Sequence, residues 1–86
     1  MKDKYSEYRG FTTEESKQGL VAILMTVLTP KEVAIFLDRS GLIYEGSTLK
    51  VTGSKHGIGV ERTRQIENKT LRKLTHPTRH ILIFGS

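Results

Sequence analysis

With 86 residues, 27% of them charged, and a formal net charge of +5 at pH 7, this chain is sized for one small basic domain. It contains no cysteine, which excludes disulfides, cysteine-based zinc sites and thiol nucleophiles. Its first residues are polar rather than an apolar signal region, and the apolar run 20–28 is too short to cross a bilayer. We therefore expect a cytoplasmic protein that does not attach to a membrane.

The charge is divided unevenly along the chain. Residues 1–47 contain six Lys and Arg against seven Asp and Glu, whereas residues 48–86 contain eight against two. The second half therefore carries the positive charge, which indicates affinity for nucleic-acid phosphates. Attachment to an anionic membrane is the disfavoured alternative, because the basic segment lacks a large apolar face.

A polar segment, residues 1–12, precedes the first predicted helix. Thr12 and Glu15 have the spacing of a capping box, in which each side chain bonds the other residue's backbone amide, so the helix should begin there. Its apolar residues form one wide stripe: Leu20, Ile23, Leu24, Val27 and Leu28. We expect this stripe to pack in the core, and a dimer or partner contact is the alternative.

A second capping box, from Thr29 to Glu32 with Pro30 between them, opens the next predicted helix. This helix should end near Ser40-Gly41. It has more apolar residues than one stripe needs, namely Val33, Ile35, Phe36 and Leu37. The surplus either joins the core or contacts a partner.

A tight glycine turn is predicted between two further helices. Ser47 or Thr48 can cap the first of them, and Gly53 suits the close approach of two helices. Gly57 can take the left-handed conformation that ends that helix, and Gly59 can start the next one. This order of elements is the helix-turn-helix motif.

Residues 61–79 read as one basic helix that a proline stops. The apolar face contains Thr63, Ile66, Thr70 and Leu74, with Leu71 beside them. The opposite face contains Glu61, Arg62, Arg64, Gln65, Asn68, Lys69, Arg72 and Lys73. Arginine and glutamine can bond base edges, while lysine and arginine can bond phosphates, so this face suits the major groove of DNA. A solvated surface helix is the alternative.

Residues 80–86 form a short apolar tail after the proline. The tail can pack against its own domain, which we expect, or pair as a strand with another copy. A homodimer through the N-terminal helix or this tail is therefore an open alternative.

No constellation of side chains points to catalysis or metal binding. His76 and His80 stand four residues apart, but Pro77 prevents them from sharing a regular turn and no carboxylate accompanies them. Ser54 and His56 lack an orienting acid. We expect no metal site, no cofactor and no enzymatic activity.

Four short segments together match a known pattern: LTPKE at 28–32, RQIE at 64–67, LRKL at 71–74 and HPTR at 76–79. With them, the chain from Leu28 to about Arg79 resembles region 4, the C-terminal helix-turn-helix domain of sigma-70 family RNA polymerase sigma factors, which reads the minus-35 promoter element. The predicted elements and this resemblance indicate an all-α fold, a small bundle of four or five helices. We place the domain at residues 13–79, with an added N-terminal helix.

The resemblance implies a DNA-binding transcription regulator, a free-standing counterpart of region 4, that contacts double-stranded promoter DNA and RNA polymerase core. It implies base contacts from Glu61, Arg64 and Gln65. Backbone contacts are expected from Arg62, Lys69, Arg72 and Lys73. The alternative is an interaction module that binds polymerase, through the flap of its β subunit, or another regulator without reading DNA.

The chain departs from the family pattern just before and within the basic helix, and Gly59 there replaces a capping threonine. Val60 stands where the family usually has an arginine that contacts DNA, and Thr63 replaces a core isoleucine. The chain also has no counterpart of the aromatic-rich segment with which sigma factors melt promoters, so we do not expect it to start transcription unaided.

Overall fold

Five α-helices, preceded by a short 3-10 helix at Tyr8–Gly10, make up the computed structural model, which describes residues 3–85. The helices are α1 (Glu14–Val27), α2 (Pro30–Ser40), α3 (Leu49–Lys55), α4 (Val60–Thr75) and α5 (Pro77–Phe84). Residues 3–85 contain no strand, so the predicted all-α bundle is confirmed. Residues 1, 2 and 86, at the outer ends of the predicted polar segment and apolar tail, lie outside the described residues.

Helix α1 begins one residue later than predicted. Its N-cap is Thr13, whose hydroxyl accepts a hydrogen bond from the Ser16 amide at 3.0 Å, while the Thr13 amide donates to the Ser16 hydroxyl at 3.2 Å. The predicted box of Thr12 and Glu15 is therefore wrong. A serine hydroxyl at the third helical position replaces the expected glutamate, because it too can accept a bond from the capping residue's amide.

The predicted boundaries of α2 are confirmed. The Thr29 amide donates to the Glu32 carboxylate at 2.9 Å, and the Glu32 amide donates to the Thr29 hydroxyl at 3.3 Å. At the other end Gly41 adopts a φ of 75°, the left-handed conformation that lets the chain leave a helix.

The core is formed by the apolar stripe of α1, the inner face of α2 and residues from the N-terminal segment, the loop after α2, α4 and α5. Its buried members are Tyr5, Tyr8, Leu20, Leu24, Leu28, Val33, Phe36, Leu42, Leu74 and Ile83. The α1 stripe therefore packs inside the domain, as expected. Most of the apolar surplus of α2 is also buried, because Val33, Ile35 and Phe36 are all within the protein and only Leu37 remains half-exposed.

The segment before α1 contributes two aromatic side chains to this core. Tyr5 and Tyr8 are buried, and both rings meet the ring of Phe36 edge-on, at centroid distances of 5.5 and 5.1 Å. Edge-to-face pairs of this kind add to the stabilisation that burial provides. The N-terminal segment is thus attached to the centre of the domain.

Helix α5 includes most of the predicted apolar tail and also residues 77–79. The prediction of one basic helix over residues 61–79 is therefore wrong, because α4 ends at Thr75, ahead of the proline.

Pro77 occupies the first turn of α5, where a missing amide proton costs nothing, and Gly85 closes it with a φ of 75°. Ile83 is buried, and the ring of Phe84 lies 5.4 Å from that of Tyr8. The expected packing of this segment against its own domain is confirmed, and its helical backbone replaces the alternative of a strand.

Candidate nucleic-acid interface

Helices α3 and α4 form the predicted helix-turn-helix. Thr48 caps α3, since its hydroxyl accepts a bond from the Val51 amide at 3.2 Å. A Cβ atom added to Gly53 would lie 2.7 Å from the Ile58 carbonyl oxygen, so only glycine permits the close approach seen here. Gly57 has a φ of 67° in the turn, as the sequence predicts.

The inner face of α4 contains the predicted residues and one that was not predicted. Thr63, Ile66, Thr70 and Leu74 are buried. The hydroxyls of Thr63 and Thr70 each donate to the carbonyl four residues earlier, both at 2.8 Å, so they are satisfied within their own helix. The additional buried residue is Glu67.

Seven of the predicted polar residues lie together on the opposite side of the helix, which we name the exposed face of α4. Its members are Glu61, Arg62, Arg64, Gln65, Asn68, Lys69 and Arg72. The three candidate base-reading residues occupy its N-terminal half. The exposed Arg64 guanidinium lies 2.6 Å from the Glu61 carboxylate, whose hydrogen bond raises the pKa of Arg64. Such an exposed pair is weak and can be exchanged for contacts with a ligand.

Lys73 is directed away from this face. Its ammonium donates to the Glu32 carboxylate at 2.7 Å, which joins α4 to the start of α2. Burial opposes the ionisation of Glu32, but the bonds from Lys73 and the Thr29 amide outweigh it and hold its pKa below the usual range. The helical spacing indicates this direction, because Lys73 stands two turns after the buried Ile66 and so shares its side of the helix.

Val60 is the first residue of α4, and its side chain is 47% exposed. An apolar group therefore stands beside Glu61 at the end of the helix where the base-reading candidates lie. The cap before it is Gly59, which has no side chain to bond the first amides.

Glu67 is the centre of a buried polar cluster that links α4 to two other parts of the chain. Its carboxylate accepts hydrogen bonds from the Tyr5 hydroxyl at 2.5 Å, the Arg39 guanidinium at 2.6 Å and the Lys4 ammonium at 2.7 Å. Burial opposes ionisation, but these three donors outweigh it and lower the pKa of Glu67. The sequence pattern does not identify the members of this cluster. It does place a carboxylate between Thr63 and Thr70 on the apolar face, where a charge requires partners.

An apolar groove of about 430 Å³ lies on the outer side of α2, and we name it the α2 groove. Its lining residues include Met25, Val33, Ala34, Leu37, Tyr44 and His56. At its rim the His56 imidazole lies 2.9 Å from the Asp38 carboxylate, which joins α3 to α2. Met25 and Tyr44 are 68% and 58% exposed, so apolar surface continues outside the groove.

The two histidines near the C-terminus lie in different surroundings. His76 caps α5, accepting a bond from the Thr78 amide at 3.3 Å, while His80 lies 3.6 Å from Glu7 and packs on the Phe84 ring. Among residues 3–85, no group of three His, Asp or Glu side chains is placed to hold a metal ion. In the same range, no helix is both long enough and apolar enough to span a membrane.

The part of the chain that contains this surface is similar to known proteins. A family model described as sigma-70, region 4 matches residues 24–76, which is more than half of the chain and includes the helix-turn-helix. The chain is 45% identical over 64 residues to the RNA polymerase sigma factor SigA of Clostridium acetobutylicum, covering 73% of this chain and 17% of that protein. It is 42% identical over 57 residues to the RNA polymerase sigma factor RpoD of Neisseria gonorrhoeae, covering 65% of this chain and 9% of that one.

The chain therefore spans less than a fifth of the length of either relative. No solved structure matches it. The candidate residues of α4 all lie inside the matched range, whereas the N-terminal segment and α5 lie outside it.

Proposed function

This chain belongs to the sigma-70 region 4 family, and we propose that it regulates transcription in the cytoplasm by binding double-stranded promoter DNA through α4. Domains of this family are generally DNA-binding, associated with RNA polymerase, and non-enzymatic. The observation that carries the proposal is the exposed face of α4, which presents polar and cationic side chains on the second helix of a helix-turn-helix.

In this proposal the N-terminal half of α4 reads base edges. Arg64 has two donors that suit the paired acceptors of guanine, and Gln65 has the donor and acceptor that suit adenine. Glu61 can accept from the amino group of cytosine. Opening the Arg64–Glu61 pair releases both groups for the bases at little cost, because the pair is exposed to water.

The flanking cations are proposed to contact the DNA backbone. Arg62, Lys69 and Arg72 are exposed and would meet phosphates on either side of the groove. Lys73, the fourth residue expected to contact the backbone, would have to leave Glu32 to reach a phosphate. The proposal therefore rests on the other three.

Fluorescence anisotropy tests the proposal. A labelled duplex carrying a minus-35-like element and a scrambled duplex are each titrated with the protein over a range of salt, and the two affinities are compared. Arg64→Ala should lower the preference for the element by about 1–3 kcal/mol, the value of one paired base contact. Lys17→Ala removes the same charge from α1 and should leave the preference intact. Unchanged DNA affinity in the Arg64→Ala variant, with folding intact, would contradict the proposal.

The α2 groove favours a second candidate function, an interaction module that docks on RNA polymerase or on another regulator. Its apolar lining, which includes the exposed Met25 and Tyr44, offers a surface for an amphipathic segment such as the β-subunit flap. A homodimer would use Met25 of α1 or the exposed Ile81 and Leu82 of α5. Equal binding of the two duplexes, disappearing as salt rises, would favour this second function over the first.

A further inference from the structure

The N-terminal segment contacts α4 directly from the side that faces away from DNA in the proposed function. The Tyr5 hydroxyl donates to the Glu67 carboxylate at 2.5 Å, and Tyr5 lies outside the family-matched residues 24–76. We propose that Tyr5 is a positioning residue, which fixes the rotation of α4 about its own axis and thereby the placement of Arg64 and Gln65. This inference rests on the proposed function of α4.

Glu67 is suited to control this rotation because its contacts are directional. The hydroxyls of the neighbouring Thr63 and Thr70 donate to carbonyls four residues earlier in the chain, so these bonds do not connect α4 to other helices. Ile66 and Leu74 are held by apolar packing, which has no preferred direction. The carboxylate of Glu67, in contrast, accepts bonds that are sensitive to angle and distance.

The same cluster reaches the other helix of the motif. Arg39 donates from Nε to Glu67 at 2.6 Å and from Nη1 to the Ser47 carbonyl at 2.6 Å, directly before the cap of α3. A shift of the Glu67 carboxylate would therefore disturb both α3 and α4. From the N-terminal segment, the exposed Lys4 and the buried Tyr5 both donate to Glu67.

Tyr5 has the fixed position and protonation state that a positioning role requires. Its side chain is buried, its ring lies edge-on to Phe36 at 5.5 Å, and its amide donates to Asp3 at 2.9 Å. Burial and the nearby Glu67 carboxylate raise the pKa of Tyr5, so the hydroxyl keeps its proton and remains a donor. The lowered pKa of Glu67 keeps the acceptor ionised.

Tyr8 provides a matched control in the same segment. It is equally buried, and its ring also lies edge-on to Phe36, at 5.1 Å. In the described part of the chain, however, the Tyr8 hydroxyl makes no hydrogen bond to α4. Tyr5→Phe and Tyr8→Phe therefore remove the same atom from similar surroundings, and only the first breaks the link to Glu67.

Two measurements on these variants test the inference, both made below their melting temperatures. In the free protein, Tyr5→Phe should increase amide hydrogen exchange of residues 64–71 relative to α1, whereas Tyr8→Phe should not. On DNA, Tyr5→Phe should lower the preference for the minus-35-like duplex about three- to tenfold, the effect of one hydrogen bond. The salt dependence should stay the same, since neither variant changes the charge.

Equal exchange of residues 64–71 in the two variants would overturn the inference, as would a Tyr5→Phe variant whose DNA preference matches that of Tyr8→Phe. A wild-type protein without any DNA preference would instead overturn the proposed function. In that case hydrogen exchange still decides whether Tyr5 fixes α4, so the two failures are distinguishable.

Discussion

Gly53 sets how closely α3 and α4 approach each other. A Cβ atom there would lie 2.7 Å from the Ile58 carbonyl oxygen and 2.8 Å from the Thr63 hydroxyl. The first of these atoms belongs to the backbone of the turn and cannot rotate away. Glycine within a helix lowers the stability of that helix. Its presence in the short α3 therefore indicates a position where two helices approach too closely for a side chain.

Gly53→Ala should destabilise the domain by about 1–3 kcal/mol, because the two helices must move apart to admit the methyl group. Gly19→Ala is the matched control: this glycine lies within α1 with open space around it, so the same substitution should stabilise by about 0.5–1 kcal/mol. Urea unfolding of both variants measures the difference. Effects of the same sign would contradict the account of Gly53.

For Glu67, the sequence predicts the need for partners but not which residues they are. This residue appears in the sequence between residues of an apolar face, and its type alone indicates that it needs partners when buried. Its partners Arg39 and Tyr5 are 28 and 62 residues away in the chain, so no local spacing could identify them.

At the scale of the elements, α5 differs most from its sequence-based description. The apolar run after Pro77 does not alternate with polar residues. The sequence alone is therefore consistent both with a tail that covers the core and with a strand that pairs with another copy. The folded chain forms a helix because Pro77 suits the first turn and Ile83 then reaches the core, while Ile81 and Leu82 face outward. The caps of α2 and α3 were predicted more closely, since Thr29 and Thr48 each bond an amide only three residues away.

The docking of α5 is tested by two truncations on the same helix. Ile83→Ala should lower the free energy of unfolding by about 2–3 kcal/mol, because it leaves a cavity in the core. Leu82→Ala, at a side chain that is 56% exposed, should change it by less than about 0.5 kcal/mol. Thermal unfolding followed by circular dichroism gives both values, and equal losses would mean that α5 does not dock as described.

In the molecule as a whole, two buried carboxylates connect parts that are distant in sequence. Glu32 joins the start of α2 to Lys73 on α4, and Glu67 joins α4 to the N-terminal segment and the end of α2. The hydrogen bonds from these partners hold the pKa of both carboxyls below the usual range for glutamate. Glu32 thus binds Lys73 of the C-terminal half, and Glu67 of the C-terminal half binds Lys4 and Arg39.

These lowered pKa values predict that acid weakens the whole domain. A carboxyl whose pKa is lower in the folded state contributes its full stability above the unfolded pKa, about 4.3, and loses it as the pH falls toward the folded value. Unfolding free energy should therefore decline as the pH drops below about 4.5. Urea titrations between neutral pH and pH 3 measure this decline.

Glu67→Gln should reduce the acid dependence and lower stability at neutral pH by about 2–3 kcal/mol, because Arg39 and Lys4 lose their charged partner. Glu45→Gln, in the exposed loop after α2, should keep the acid dependence of the wild type. If Glu67→Gln unfolds with the same pH profile as the wild type, Glu67 is not responsible for the acid sensitivity.

Local chemistry in the sequence was sufficient to predict α2, the glycine turn and most of the polar face of α4, because caps, periodicity and left-handed glycines act over a few residues. The helical form of α5 was not predicted. The burial of Tyr5, the cluster around Glu67 and the pairing of Lys73 with Glu32 depended on folding. Hydrogen bonds across 28 to 63 residues form only when packing brings distant segments together, and no periodicity in the chain encodes them.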